Sequence, residues 1–217
     1  MRLILVRHGQ TTSNVIHALD TGEPGAGLTT LGHTQAQDLV GKMSGLDISL
    51  LVTSNLLRTQ QTAAPLAGAL GMRPMVDSRI REILAGHLEM RNDIESISEY
   101  HTTLLGWMAG DHDVRIPGAE DGHEVLGRFD DAVEAARSEV GDGLAVFVTH
   151  GAIIRTWTSL RATNIPDDWG IEHVLRNTDW VELRDGDGRW AIEQWHGIRV
   201  SIDELAAEAR DRAGQRH

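Results

Sequence analysis

The sequence predicts an α/β protein: a three-layer α/β/α sandwich with a mainly parallel sheet, an antiparallel edge and a helical lid insertion. Three observations predict it. Short apolar runs at 3–6, 49–53, 75–77 and 144–149 alternate with longer stretches of helical periodicity, the pattern of parallel strands joined by crossover helices. Two late runs, 180–184 and 190–195, flank Asp185-Gly186-Asp187-Gly188-Arg189, which reads as a hairpin turn. Residues 82–140 are helical in pattern with no strand of their own, which suits a lid over one sheet edge.

In chain order, Leu3-Ile4-Leu5-Val6 is a buried strand that runs directly into Arg7-His8-Gly9. A helix over 31–43 follows the start signal Thr29-Thr30 and stops near Gly45. The second strand ends at Thr53, and Ser54-Asn55 are cap residues for a helix over 56–70 that closes at Gly71. Two helices, over 94–108 and 120–140, are parted by the Pro117-Gly118 turn. The strand at 144–149 leads into Thr149-His150-Gly151 and a helix over 151–163. The hairpin completes the sheet, and 201–217 is expected as a C-terminal helical tail of a single domain spanning 1–217.

The charge balance narrows the partners. With 32 acidic against 20 basic side chains the net charge is −12, so neither nucleic acid nor an anionic membrane is expected as a partner. The chain has no cysteine, which removes disulfides, thiol nucleophiles and Cys-ligated zinc. Its 11 histidines fall in no metal-ligand spacing, so no metal and no other cofactor is expected. The chain enters its first strand with no charged-then-apolar leader and contains no long apolar span, so a cytoplasmic location is expected. Two features suit a homodimer: an exposed edge strand, and the apolar spacing of Leu205, Ala206 and Ala209.

Three segments share one design, a strand that ends in polar residues just before a helix begins. They carry Arg7-His8-Gly9, Ser54 with Arg58, and His150-Gly151. In a parallel sheet all three strand ends lie on one side, where ligands bind, so two Arg and two His converge. The helix N-termini there add free N–H groups and partial positive charge. A phosphate explains why four such groups gather at one point. A neutral imidazole can attack phosphorus, and neighbouring Arg charges help keep it neutral.

These residues resemble a family pattern. Arg7-His8-Gly9 with Asn14, the segment 28–36, Ser54 through Arg58 to Ala63, Arg81-Glu82-Ile83 and Thr149-His150-Gly151 follow one another as in the histidine phosphatase superfamily, branch 1, the phosphoglycerate mutase-like phosphatases. The resemblance implies a phosphomonoesterase that hydrolyses a small phosphorylated metabolite through a phosphohistidine. His8 resembles the nucleophile; Arg7, Arg58, His150 and Gly151 resemble the phosphate pocket, with Asn14 beside them; Glu82 sits where phosphatase members place a proton donor. Glu89 is the alternative donor. Thr21, Gly22 and His87 are weaker candidates for substrate contact. Many of the family's phosphatases read Gly, any residue, aromatic, Glu, Gly where this chain has Gly86-His87-Leu88-Glu89-Met90, so the local loop shape is open. The alternative activity is a phosphoglycerate mutase-type transfer, which the apolar run Ile83-Leu84-Ala85-Gly86 disfavours because it lacks the family's basic residues. A non-catalytic phosphate-binding domain is a third reading.

Overall fold

The computed structural model describes residues 1–166, 169–186, 188–196 and 198–200. The expected tail at 201–217, with Leu205, Ala206 and Ala209, lies outside them.

Within β1 (Arg2–Arg7) alternate side chains point to opposite faces, and every interior residue is buried. Leu3 and Leu5 join one apolar cluster, Ile4 and Val6 the other, so the strand has a helical layer on both sides. β2 (Ile48–Thr53), β3 (Met75–Val76) and the fully buried β4 (Leu144–Thr149) run parallel to it. β5 (Trp180–Gly186), β6 (Arg189–Trp195) and β7 (Ile198–Arg199) run antiparallel, giving a seven-stranded sheet of order β3-β2-β4-β1-β5-β6-β7. The antiparallel edge is thus one strand wider than the predicted hairpin.

After the one-turn α1 (Thr12–Val15), one layer consists of α2 (Thr30–Met43) and α3 (Leu57–Leu70), whose Leu39, Met43, Ala63 and Leu66 cover Ile4, Val6, Leu51 and Val146. α2 starts as expected, with the Thr29 hydroxyl accepting from Gly32 N. The α3 cap differs: Leu56 occupies it without a side-chain bond, and Ser54 turns its hydroxyl toward the site instead. Arg58 therefore sits in the first turn of α3, close to the strand ends.

The other layer holds α4 (Ile94–Met108), α5 (Gly122–Val140) and α6 (Gly151–Arg161). Phe129, Ala132, Val133 and Ala136 of α5 pack in the cluster with Leu3, Leu5 and Phe147, so this half of the 82–140 stretch covers the sheet and is not a lid. Only the part before it borders the strand ends, through Tyr100 and His101 of α4. Burying side chains such as Phe129, Phe147 and Trp157 yields about 1.5–3 kcal/mol each.

Candidate active site

At the carboxyl ends of β1, β2 and β4 lies a cavity of about 170 Å³ lined by Arg7, His8, Asn14, Thr21, Arg58, Glu82 and Gly151, among others. Sequence-predicted residues from five separate segments meet there.

His8 follows β1 and is 4% exposed. Its backbone N–H donates to Thr149 O (3.0 Å), continuing the ladder between β1 and β4. Its Nδ1 lies 2.7 Å from Gly9 O. A carbonyl can only accept, so Nδ1 carries the proton and Nε2 holds the lone pair. Gly9 is required here: a Cβ would stand 2.7 Å from Gly32 O at the start of α2.

His150 begins α6, with its ring centroid 5.3 Å from that of His8. Its Nε2 is 2.8 Å from Ser54 Oγ, and its Nδ1 accepts from Arg58 Nε at 3.3 Å. Both imidazoles have pKa values held well below the ordinary 6.5, first by burial and then by Arg58, with Arg7 adding to the effect. They are neutral near pH 7.

Arg58 is 2% exposed; its Nη2 donates to Asp20 O (2.9 Å), and the Asp20 carboxylate lies 3.8 Å from Nη1. Arg7 is tied by Nη1 to Leu175 O. Among the described residues, Arg7 Nε and Arg58 Nη1 are buried N–H groups without a hydrogen-bond partner. Buried donors of this kind are costly unless a ligand oxygen accepts from them. Burial lowers the pKa of both guanidinium groups from their ordinary value. Asn14 Oδ1 accepts from Thr11 N and Asn177 Nδ2, both at 3.1 Å, which leaves its own amide N–H₂ to donate into the cavity. Gly151 packs tightly on Arg7, where a Cβ would meet Nε at 3.1 Å.

The two glutamates part company. Glu82 lines the cavity. Its Oε1 accepts from Ile83 N (2.9 Å) and Ile153 N (3.0 Å), whereas Oε2 accepts only from Ala152 N (3.1 Å) and keeps a lone pair for a proton. Glu89 lies outside the lining and grips a loop: it accepts from Thr21 N (2.8 Å), Gly22 N (3.0 Å) and the Thr21 hydroxyl. That use corrects the idea of Glu89 as an alternative donor. Thr21 reaches the cavity wall, but Gly22 does not. His87 is exposed, pairs with Glu99 (3.4 Å) and does not line the cavity.

Sequence reasoning missed Asp20, Tyr100, His101, Arg155, Val174 and Leu175, all of which line the cavity. Arg155 alone had a signal, lying one helical turn beyond Gly151. No group of three or more His, Asp or Glu with metal-binding geometry occurs among the described residues, and none of their helices is long and apolar enough to cross a membrane.

Residues 3–197 match the family model described as histidine phosphatase superfamily (branch 1). A probable phosphoglycerate mutase GpmB of Escherichia coli is 34% identical over 197 residues, covering 90% of each chain. A PE-PGRS family protein of Mycobacterium tuberculosis is 32% identical over 216 residues, but the chain spans only 36% of its length. Among solved structures, a mycobacterial glucosyl-3-phosphoglycerate phosphatase in complex with VO3 superposes with a TM-score of 0.77 at 25% identity, over 91% of this chain and 99% of that one.

Proposed function

The chain belongs to the histidine phosphatase superfamily, branch 1, and from that premise we propose that it is a phosphomonoesterase acting on a small phosphorylated metabolite through a phosphohistidine on His8. One observation carries the reading: a neutral imidazole with its lone pair on Nε2 lines the same cavity as the guanidinium side chains of Arg7 and Arg58.

The phosphate oxygens accept from Arg7, Arg58 and the Asn14 amide, which neutralises the charge spread over them. Removing one such donor costs about 10²–10³-fold in rate. The His8 Nε2 lone pair bonds to phosphorus while the bond from phosphorus to the leaving oxygen breaks. Glu82 gives that oxygen a proton, a contribution of about 10²–10⁴-fold. Water then attacks phosphorus, the P–N bond breaks, and Glu82 takes up the water proton. Charge neutralisation by guanidinium groups makes a metal unnecessary. A cytoplasmic setting fits a chain without cysteine.

A mutase-type transfer is the second reading, favoured by the likeness to the E. coli protein named above. Incubation with a radiolabelled phosphate ester followed by an alkaline quench tests both. The expected result is a base-stable, acid-labile label on the wild type that vanishes in His8→Ala, with inorganic phosphate released and no effect of a chelator. Transfer of label to a second organic acceptor makes it a mutase. Turnover by His8→Ala at the wild-type rate refutes the phosphohistidine. Phosphate release across a panel of phosphorylated metabolites identifies the substrate.

A further inference from the structure

Behind the cavity, outside its lining, Arg128 of α5 has a guanidinium with no idle donor. Its side chain is 10% exposed. Nε and Nη2 donate to the two carboxylate oxygens of Glu120, at 2.8 and 3.2 Å. Nη1 donates to Arg79 O (2.6 Å) and Arg81 O (2.9 Å), and Nη2 also to Glu82 O (3.1 Å). Five N–H groups thus make five bonds, three of them to backbone carbonyls of the one segment that delivers Glu82 to the cavity. The same segment is held from α4, where the Tyr100 hydroxyl donates to Ile83 O at 2.9 Å. Glu120, the counter-charge, also accepts from Arg81 (2.7 Å) and closes the network.

Arg is suited to this task because its donors sit in a rigid plane and fix several acceptors relative to one another. A Lys in its place would supply one point charge and could not hold three carbonyls in register. Glu82 projects from the segment so clasped, and its carboxyl also receives the first-turn N–H groups of α6. We propose that Arg128 is a positioning residue for proton transfer: it fixes the backbone of residues 79–82 so that the Glu82 carboxyl stands within reach of the leaving oxygen. This rests on Glu82 being the proton donor, as proposed above. A displacement of about 1 Å at a reacting group can cost about 10²-fold in rate.

The test exploits leaving groups that differ in their need for a proton. Arg128→Met, Arg128→Lys and Glu82→Gln are compared with the wild type on p-nitrophenyl phosphate, whose phenolate departs unaided, and on β-glycerophosphate, whose alkoxide does not. The quantity read is kcat/KM, which reports the first phosphoryl transfer. Glu82→Gln is expected to lose about 10²–10⁴-fold on the alkyl ester and far less on the aryl ester. Arg128→Met is expected to lose about 10–10²-fold on the alkyl ester and less than about threefold on the aryl ester, with Arg128→Lys between it and the wild type. Equal losses on both esters, or none on either, overturn the proposal. If Glu82→Gln shows the split and the Arg128 variants do not, only the role of Arg128 falls. If Glu82→Gln shows no split, the donor assignment fails and takes this role with it. Should Arg128→Met not fold, Arg128→Lys retains the charge and carries the comparison: the same split at smaller size supports the proposal, and a uniform loss overturns it.

Discussion

Lowering the pH from about 8 to about 5 is expected to reduce folding stability through His8 and His150, by at most about 4 kcal/mol, the limit that their unfolded pKa of 6.5 sets. Both are buried, beside each other and beside Arg58, and both have folded pKa values well below the 6.5 they take in an unfolded chain. The unfolded state therefore binds protons that the folded state refuses. Stability is full above pH 6.5 and falls as pH drops through 6.5 toward the folded values. Each imidazole contributes a slope of at most about 1.4 kcal/mol per pH unit, which integrates to no more than about 2 kcal/mol by pH 5. Together they are a large part of a typical total of about 5–15 kcal/mol. His101, also lowered but exposed at the cavity rim, is discounted for solvent screening. Carboxylates held below the usual range, such as Asp77 beside Arg79, and Asp93, which is lowered to about 2, lose their contribution only as pH falls below about 4, outside the window. Urea denaturation at several pH values, on the wild type and on the double variant His8→Asn/His150→Asn, reads the effect. The double variant is expected to lose most of the slope. An unchanged slope would refute the account of a cationic, water-poor site that keeps its imidazoles neutral.

Two further outcomes follow from the loop that Glu89 and Met90 build. Glu89→Gln is expected to lower stability by about 1–2 kcal/mol, because Thr21 and Gly22 lose a charged acceptor, yet to keep kcat/KM on both esters within about threefold; a loss like that of Glu82→Gln would return Glu89 to the chemistry. Met90→Gly is expected to be neutral or stabilising by up to about 1 kcal/mol in thermal denaturation, since Met90 holds a left-handed φ of 61° while 55% exposed; a clear loss would mean that the Met side chain packs where it matters.

The strand ends were legible because they obey a period and a topology. Leu3-Ile4-Leu5-Val6 and 144–149 announce buried strands, and parallel neighbours place His8 and His150 side by side. Arg58 came with its helix, although its cap was misassigned: Leu56 occupies the cap, and the Ser54 hydroxyl accepts from Leu56 N (3.2 Å) and lies 2.8 Å from His150 Nε2. Glu82 and Glu89 were inseparable in the sequence: the choice depends on which carboxyl meets the α6 N-terminus and which meets Thr21, and both partners are remote in the chain. The same remoteness hid Asp20 behind Arg58 and Leu175 O beneath Arg7. The role of α5 could have been found, since Val125, Leu126, Phe129, Ala132, Val133 and Ala136 form an unbroken apolar stripe at helical spacing, the mark of a helix laid on a sheet. Met90, where the resemblance calls for a Gly, holds a left-handed φ of 61°, a backbone that glycine adopts freely.

The separation of the two imidazoles has a ruler of its own. Arg7 pairs with Thr149 across adjacent parallel strands, so the next residues, His8 and His150, inherit the interval of about 4.8 Å set by backbone hydrogen bonding, and their rings sit 5.3 Å apart. That interval is a constant of peptide geometry and does not depend on which side chains cover the sheet. Loops around the mouth can therefore change in length and sequence while the spacing of the two rings stays put.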